Sequence, residues 1–216
     1  MLRFAEEIML LLLDDESGEF AHIPEWSLRY ALAGAVLMDI ALENRIDTDP
    51  KRLTLLDPTP TGDDLLDPTL ASIAQSTEVH DICHWIEHTA ENAYSIRDKA
   101  MKRLITHGIL ESRDDRFLWV FRSRRYPVID GKAEREVKLR IMEVLFSDVI
   151  PDPRDIVIIC LADACGIFRT LLSKQELRQA ATRIEQVRKL DLIGQAVSQV
   201  VWNIEASLAL SMHPMA

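Results

Sequence analysis

Hydrophobic residues recur at helical spacing along most of the chain, which predicts a mainly α fold. Two apolar segments, Phe4–Leu13 and Trp26–Asn44, are predicted to form buried helices. The second contains Ala33, Gly34 and Ala35, whose small size allows close helix contact, so it is the predicted central core helix. Further helices are predicted at Thr77–Thr89, Ile96–Ile105, Lys132–Phe146, Asp152–Phe168, Ser173–Leu190 and Leu192–Leu210.

Shorter patterns predict turns, helix starts and hairpins. Arg45–Asp57 reads as an edge hairpin, and Asp67 is the expected N-cap of a helix with Pro68 in its first turn. A second hairpin is predicted from Gly108–Glu111 and Phe117–Phe121. The second strand has five consecutive apolar residues, so both of its faces must be covered. Either the core of the domain covers both faces, or the core covers one face and a partner subunit, a ligand or a membrane covers the other.

Composition and charge favour one acidic, soluble domain spanning residues 1–216. Nothing in the sequence resembles a linker, and 48% hydrophobic content allows a substantial core. The net charge of −10 is unevenly distributed: residues 1–90 hold 5 Lys and Arg against 18 Asp and Glu, whereas residues 91–216 hold 20 against 17. The acidic total weakens long-range attraction to nucleic acid, so nucleic acid is not the favoured partner.

The cysteines and the apolar runs indicate the cellular compartment in which the protein is expected. Cys83, Cys160 and Cys165 form no CxxC pair, so we interpret them as small buried hydrophobes in a reducing, cytoplasmic compartment. The first apolar run, Ile8–Leu13, is too short to span a bilayer, and Ala31–Leu42 is interrupted by Asp39. Any membrane contact is therefore expected to be peripheral.

Candidate catalytic chemistry is sparse. The chain has no GxSxG, GxGxxG or P-loop motif, so we predict neither an enzyme nor a cofactor. His80, Cys83, His84 and His88 share one predicted helical stripe, but no metal-binding signature accompanies them. We interpret the histidines as a solvated face and predict no metal.

The basic stretch Tyr94–Val128 carries the candidate binding chemistry. Its helix leaves Arg97, Lys99, Lys102 and Arg103 on the surface, where they can attract phosphate groups, and Gly108 is predicted to end it. A basic helix followed by a basic hairpin also describes the recognition helix and wing of a DNA-binding regulator, which stays an alternative. A second alternative is an oligomeric scaffold that binds only protein.

Several blocks, in order, make the chain similar to the Golgi phosphoprotein 3 family. They are EEIMLLLLDDESGEF, ALAGAVLMDIALENRI, PTGDDLLDPTL, WIEH, RLITHGIL and FLWVF, and the resemblance runs from about Phe4 to Leu208. It implies a helical bundle with central apolar helices wrapped by amphipathic ones and a protruding β-hairpin. It also implies a non-enzymatic peripheral membrane protein that binds phosphatidylinositol 4-phosphate, and in eukaryotic members sorts glycosyltransferases with coat proteins.

The resemblance also implies a lipid headgroup pocket, which this sequence matches in part. Arg97 stands at one of two family arginines on the helix before the hairpin, whereas Tyr94 replaces the other and Ala33 replaces a third on the second helix. Trp26 lies two residues from the family tryptophan. The residues expected to contact an anionic headgroup are Trp26, Arg97, Lys99 and Arg103.

The hairpin is the second site that the resemblance implies. Its aromatic and basic residues suit a membrane contact or a homo-oligomer interface, with membrane enzymes as client proteins: Phe117, Trp119, Phe121, Arg122, Arg124 and Arg125. The chain begins almost at the first matched block, without the basic tail of eukaryotic members. Together with the incomplete pocket, this suggests a bacterial relative without coat binding through such a tail.

Overall fold

The computed structural model describes residues 2–14, 19–49, 51–111, 113–114, 124–125 and 131–211, with backbone alone for 113–114, 124–125 and 202–211. The described part is mainly α, as predicted. Its helices are α1 Phe4–Leu11, α2 Glu25–Leu42, α3 Asp67–Gln75, α4 Ile82–Ala90, α5 Ala93–Thr106, α6 Gly131–Phe146, α7 Pro153–Ala164, α8 Phe168–Leu171, α9 Lys174–Arg188 and α10 Leu192–Ser211. Its strands are β1 Ile46–Thr48, β2 Leu53–Leu55, β3 Arg113–Asp114 and β4 Arg124–Arg125.

Helix α2 lies at the centre of the bundle, as its apolar sequence predicts. Every residue from Ala31 to Ile40 is buried, and α1, α4, α5, α7 and α10 all pack against this helix. Helix α1 is buried along its whole length, which also agrees with its leucine-rich sequence. None of the helices in the described residues is long and apolar enough to cross a membrane.

Gly34 allows α2 to approach two other helices closely. A Cβ atom at this position would lie 2.6 Å from Leu161 Cδ2 on α7 and 2.8 Å from Val197 Cγ2 on α10, and both neighbours are fully buried. The closeness of three helices therefore depends on the missing side chain.

Gly34→Ala is expected to lower the free energy of unfolding by about 1–2 kcal/mol. Overpacking costs about 1–3 kcal/mol, and the better helix propensity of alanine offsets up to about 1 kcal/mol of that. Urea unfolding measures the change. In a double-mutant cycle with Leu161→Ala, the pair should cost less than the sum of the two single variants, because the second change removes the clash. Simple additivity would contradict the packing argument.

The edge hairpin and the N-cap of α9 agree with the predictions from the sequence. Strands β1 and β2 pair antiparallel, with Ile46 opposite Leu55. The Ser173 hydroxyl accepts the Glu176 N–H while the Glu176 carboxylate accepts the Ser173 N–H, which completes the predicted capping box of α9.

Two helix starts were predicted wrongly. Asp67 does not cap α3: its carboxylate accepts hydrogen bonds from the Thr61 N–H, the Thr61 hydroxyl and the Gly62 N–H, so it closes the preceding loop. The predicted helix Thr77–Thr89 begins only at Ile82, because Asp81 accepts the His84 N–H as its N-cap. His80 precedes the helix, where its carbonyl accepts the N–H of Leu53.

The second hairpin is present, but its first strand is displaced from the predicted position. Residues 107–108 form a turn after α5, in which Gly108 has φ +70° and the N–H groups of Ile109 and Leu110 donate to Leu104 O. The antiparallel ladder instead pairs Arg113 with Arg125 and Asp114 with Arg124. The predicted second strand, Phe117–Phe121, lies outside the described residues.

Candidate functional site

Helix α5 carries the predicted basic surface. Its buried face consists of Ala93, Ile96, Ala100, Met101 and Leu104, as the spacing predicts. Arg97, Lys99 and Arg103 are each half-buried outside that face. Their partners differ, however, and those partners decide which side chain is available to a ligand.

Lys99 and Arg103 bind the loop before α3. Lys99 Nζ donates to Asp64 O at 2.6 Å, and Arg103 Nη2 lies 2.9 Å from Asp63 Oδ1 and 3.3 Å from Asp64 Oδ1. Burial raises the pKa of Asp63, but the Leu65 N–H and the guanidinium groups of Arg3 and Arg103 outweigh it, so this pKa lies below its usual range. Both predicted headgroup ligands therefore hold α5 to the loop.

Arg97 is placed differently. Its guanidinium carbon lies 5.5 Å from the centroid of the Phe20 ring, and it has no ion-pair partner among the described residues. In the adjacent turn of α5, the exposed Tyr94 hydroxyl donates to the Glu25 carboxylate at the start of α2. Arg29, one turn further along α2, donates to Ala90 O at 3.3 and 3.2 Å. Arg97 thus retains its donors for an anion.

Trp26 lines a cavity of about 180 Å³ between the first turn of α2 and the turn that joins α7 to α8. Ser27 Oγ donates to Cys165 O at 2.6 Å and links these two segments. The polar groups of the wall include His22, Asp163 and Arg169. Burial raises the pKa of Asp163, and the nearby Arg188 and Arg169 oppose that rise.

The contacts of the described residues do not bring the four predicted headgroup residues together at one site. Glu25, which contacts α5, and Trp26, which lines the cavity, both belong to the first turn of α2. Tyr94 of α5 and the cavity therefore meet the same turn of α2, while Lys99 and Arg103 contact the loop at Asp63 and Asp64. The role of these residues in headgroup binding stays a prediction.

Sequence reasoning missed His22, Asp163 and Arg169. His22 precedes α2, whereas Asp163 and Arg169 flank the turn after α7, so their common location depends on tertiary packing. The available signal was Gly166, whose φ of +72° produces the tight turn between them.

The predicted hairpin contact stays a prediction. Arg124 and Arg125 form β4, and their backbone pairs with β3. Phe117, Trp119, Phe121 and Arg122 lie outside the described residues.

The histidines stack along one surface. The rings of His80 and His84 are stacked at 3.7 Å, and the ring of His88 lies 6.3 Å from that of His84, with Trp85 perpendicular to all three. Within the described residues, no group of three or more His, Cys, Asp or Glu side chains is arranged to hold a metal ion.

All three cysteines are free thiols. Cys160 and Cys165 are buried as predicted, but Cys83 is only half-buried because it lies at the edge of the amphipathic helix α4. Burial raises the pKa of Cys165 to about 12, and burial also raises the pKa of Cys160. These two thiols are therefore unsuited to act as nucleophiles at neutral pH.

Comparison with known proteins gives the family of this fold. The profile of the Golgi phosphoprotein 3 (GPP34) family matches residues 4–204. The chain belongs to the Golgi phosphoprotein 3 family. A relative is the vacuolar protein sorting-associated protein 74 of Eremothecium gossypii, 25% identical over 207 residues. The match covers 80% of this chain and 62% of that relative, so this Golgi phosphoprotein 3 family member spans less than two thirds of its length.

Proposed function

We propose that the protein is a non-enzymatic peripheral membrane protein that binds anionic lipid headgroups through the end of the bundle around the first turn of α2. The observation that carries the proposal is the half-buried Arg97 guanidinium, which rests on Phe20 and lacks an ion-pair partner in the described part of the chain. A planar guanidinium donates two parallel hydrogen bonds to a phosphate, and an aromatic ring beneath it holds its orientation.

The overall charge determines how this binding would behave. The chain carries a net charge of −10, so long-range attraction to an anionic surface is weak. Affinity would then come from short-range contacts to one phosphate, and its dependence on salt would be modest. Phosphatidylinositol 4-phosphate, which the family resemblance implies, is the first headgroup to test.

The family also supports a wider proposal. The relative is named for vacuolar protein sorting, and a sorting role here would make the protein an adaptor for membrane enzymes on a cytoplasmic membrane surface. Homo-oligomerisation through the β3–β4 hairpin would present several headgroup sites at once, and the linked sites would strengthen weak individual contacts.

Arg97→Ala is expected to weaken binding to vesicles containing phosphatidylinositol 4-phosphate by about 10- to 100-fold, because a hydrogen bond to a charged group contributes about 1.5–3 kcal/mol. Co-sedimentation measures the change. Arg97→Lys should retain only part of the affinity, since lysine keeps the charge but loses the planar fork. Arg52→Ala is the matched control, because it removes an exposed arginine of the edge hairpin.

A protein-interaction scaffold is the competing function. It is favoured by apolar side chains exposed on and after α6, including Leu139 at 63% exposure and Ile150 at 91%. Arg97→Ala separates the two functions. Loss of vesicle binding by this variant, with an unchanged oligomeric state, supports the lipid function. Equal binding by wild type, Arg97→Ala and Arg52→Ala, or no vesicle binding by any of them, would rule it out.

A further inference from the structure

We propose that the Trp26 cavity binds a zwitterionic lipid headgroup of the phosphoethanolamine class, in which two carbons join a phosphate to an ammonium group. The inference rests on the proposed function for the membrane as the source of the ligand. It goes beyond that function because it assigns a headgroup without net charge to a cavity whose lining does not include Arg97.

The cavity walls are held in place within the protein. The Ser27–Cys165 hydrogen bond ties α2 to the end of α7, and Thr170 Oγ1 donates to Ile167 O at 2.7 Å within the next turn. A volume of about 180 Å³ corresponds to roughly six waters at about 30 Å³ each. That space suits a small polar headgroup that displaces the waters without rearranging the backbone.

Two of the residues that line the cavity, Arg169 and His22, suit a phosphate. Arg169 is exposed and has no ion-pair partner among the described residues, and His22 is exposed on the opposing segment. An unpaired guanidinium offers its donors to two phosphate oxygens, and an imidazole N–H can donate to a third.

Asp163 and Trp26, which also line the cavity, suit an ammonium group. Asp163 Oδ2 lies 3.3 Å from Arg188 Nη1, while Asp163 Oδ1 has no hydrogen-bond partner among the described residues. Trp26 is half-buried in the same wall, and an indole face attracts a cation. Ile23 and Pro24 continue this wall with apolar surface, against which the two carbons of the headgroup can lie.

The combination of charges selects against simpler ligands. A bare anion would meet the Asp163 carboxylate, whose charge Arg188 offsets at the Oδ2 atom, and a bare ammonium would meet the Arg169 guanidinium. A ligand with both charges satisfies both groups. A polyphosphorylated inositol carries only the negative charge and is therefore not the ligand expected here.

The direct test is calorimetric titration of the whole chain with phosphoethanolamine, and separately with ethanolamine and inorganic phosphate. We expect saturable binding of phosphoethanolamine at least about 10-fold tighter than either fragment, because each charged end adds charge-assisted hydrogen bonds. Arg169→Ala and Asp163→Asn should each remove most of that preference. Trp26→Leu, which keeps an apolar wall, should weaken binding of phosphoethanolamine and ethanolamine but not of phosphate.

The matched control is Arg178→Ala, which removes an exposed arginine of α9 outside the cavity and should change nothing. Circular dichroism confirms that each variant is folded before it is scored. Absence of saturable phosphoethanolamine binding by the wild type, or equal affinity for phosphoethanolamine and phosphate, would overturn the proposal. So would an equal loss of binding in Arg178→Ala and Arg169→Ala.

A vesicle experiment identifies the source of the ligand and separates this site from the Arg97 site. Arg169→Ala should lose enrichment on phosphatidylethanolamine vesicles while it retains binding to phosphatidylinositol 4-phosphate, and Arg97→Ala should show the reverse. If free phosphoethanolamine binds but phosphatidylethanolamine vesicles do not, the assignment to a lipid is overturned. If the wild type binds phosphatidylethanolamine but no anionic vesicle, the anionic-headgroup function fails and the cavity assignment stands.

Discussion

Arg154→Ala is expected to lower the free energy of unfolding by about 3–5 kcal/mol, the cost of leaving a buried charge uncompensated. Arg154 Nη2 donates to Leu2 O at 2.8 Å and lies 3.3 Å from Glu7 Oε1, and its guanidinium carbon lies 4.1 Å from the centroid of the Phe4 ring. Burial raises the pKa of Glu7, while Arg154 and Arg140 favour its charged form. Without Arg154, and among the residues that the structure describes, Arg140 at 3.5 Å is the ion-pair partner left to Glu7.

The control for Arg154→Ala is Arg52→Ala. Arg52 Nε lies 3.6 Å from Asp49 Oδ2, but both side chains are more than half exposed, so the loss should stay below about 1 kcal/mol. Urea unfolding of both variants at pH 8 gives the comparison. The deficit of Arg154→Ala should shrink at pH 5.5, where Glu7 and Asp39 can take up protons. A cost below 1 kcal/mol at pH 8 would show that this network does not hold α7 to α1.

The sequence predicted best those elements whose defining residues are close together in the chain. Helices α1 and α2 are apolar on nearly every side, and the capping box of α9 needs only Ser173 and Glu176, three residues apart. The edge hairpin β1–β2 was likewise predicted from neighbouring residues. In each case the pattern that predicts the element lies within the element's own stretch of sequence.

The sequence could not show side-chain partners that lie in another segment of the chain. Arg103 looks like a free surface cation on α5, yet Asp63 and Asp64 bind it from a loop 40 residues earlier along the chain. Asp67 looks like an N-cap but satisfies Thr61 and Gly62. A local pattern cannot show whether a charge is already neutralised, so it could not separate the available Arg97 from its engaged neighbours.

Asp39 illustrates the same limit within the core. The sequence shows a carboxylate interrupting an apolar helix, but not the groups that surround it. Phe4 N–H donates to its Oδ2 at 2.9 Å, and its Oδ1 lies 3.7 Å from Arg3 Nη1 and 3.8 Å from Arg154 Nη1. Burial raises the pKa of Asp39 to about 7, and the nearby Glu7 adds to the rise, while the Phe4 N–H and the two arginines oppose it.

This raised pKa predicts that the protein is more stable at pH 6 than at pH 8. The folded state holds the Asp39 proton up to a pKa of about 7, whereas the unfolded chain releases it near the ordinary aspartate pKa of 3.8. The contribution is therefore complete below pH 3.8 and is lost as the pH rises through 7. Between pH 6 and pH 8 the loss from this one group is about 1.4 kcal/mol.

Asp39→Asn isolates that contribution from every other titrating group, because the remaining side chains are common to both proteins. Urea unfolding at pH 6, 7 and 8 should give the wild type a decline in stability that is about 1.4 kcal/mol steeper than that of Asp39→Asn. The variant keeps an acceptor for the Phe4 N–H, so α1 should stay attached to α2. Parallel pH curves for the two proteins would mean that Asp39 stays ionised across this range and that Arg3 and Arg154 outweigh the cost of its burial.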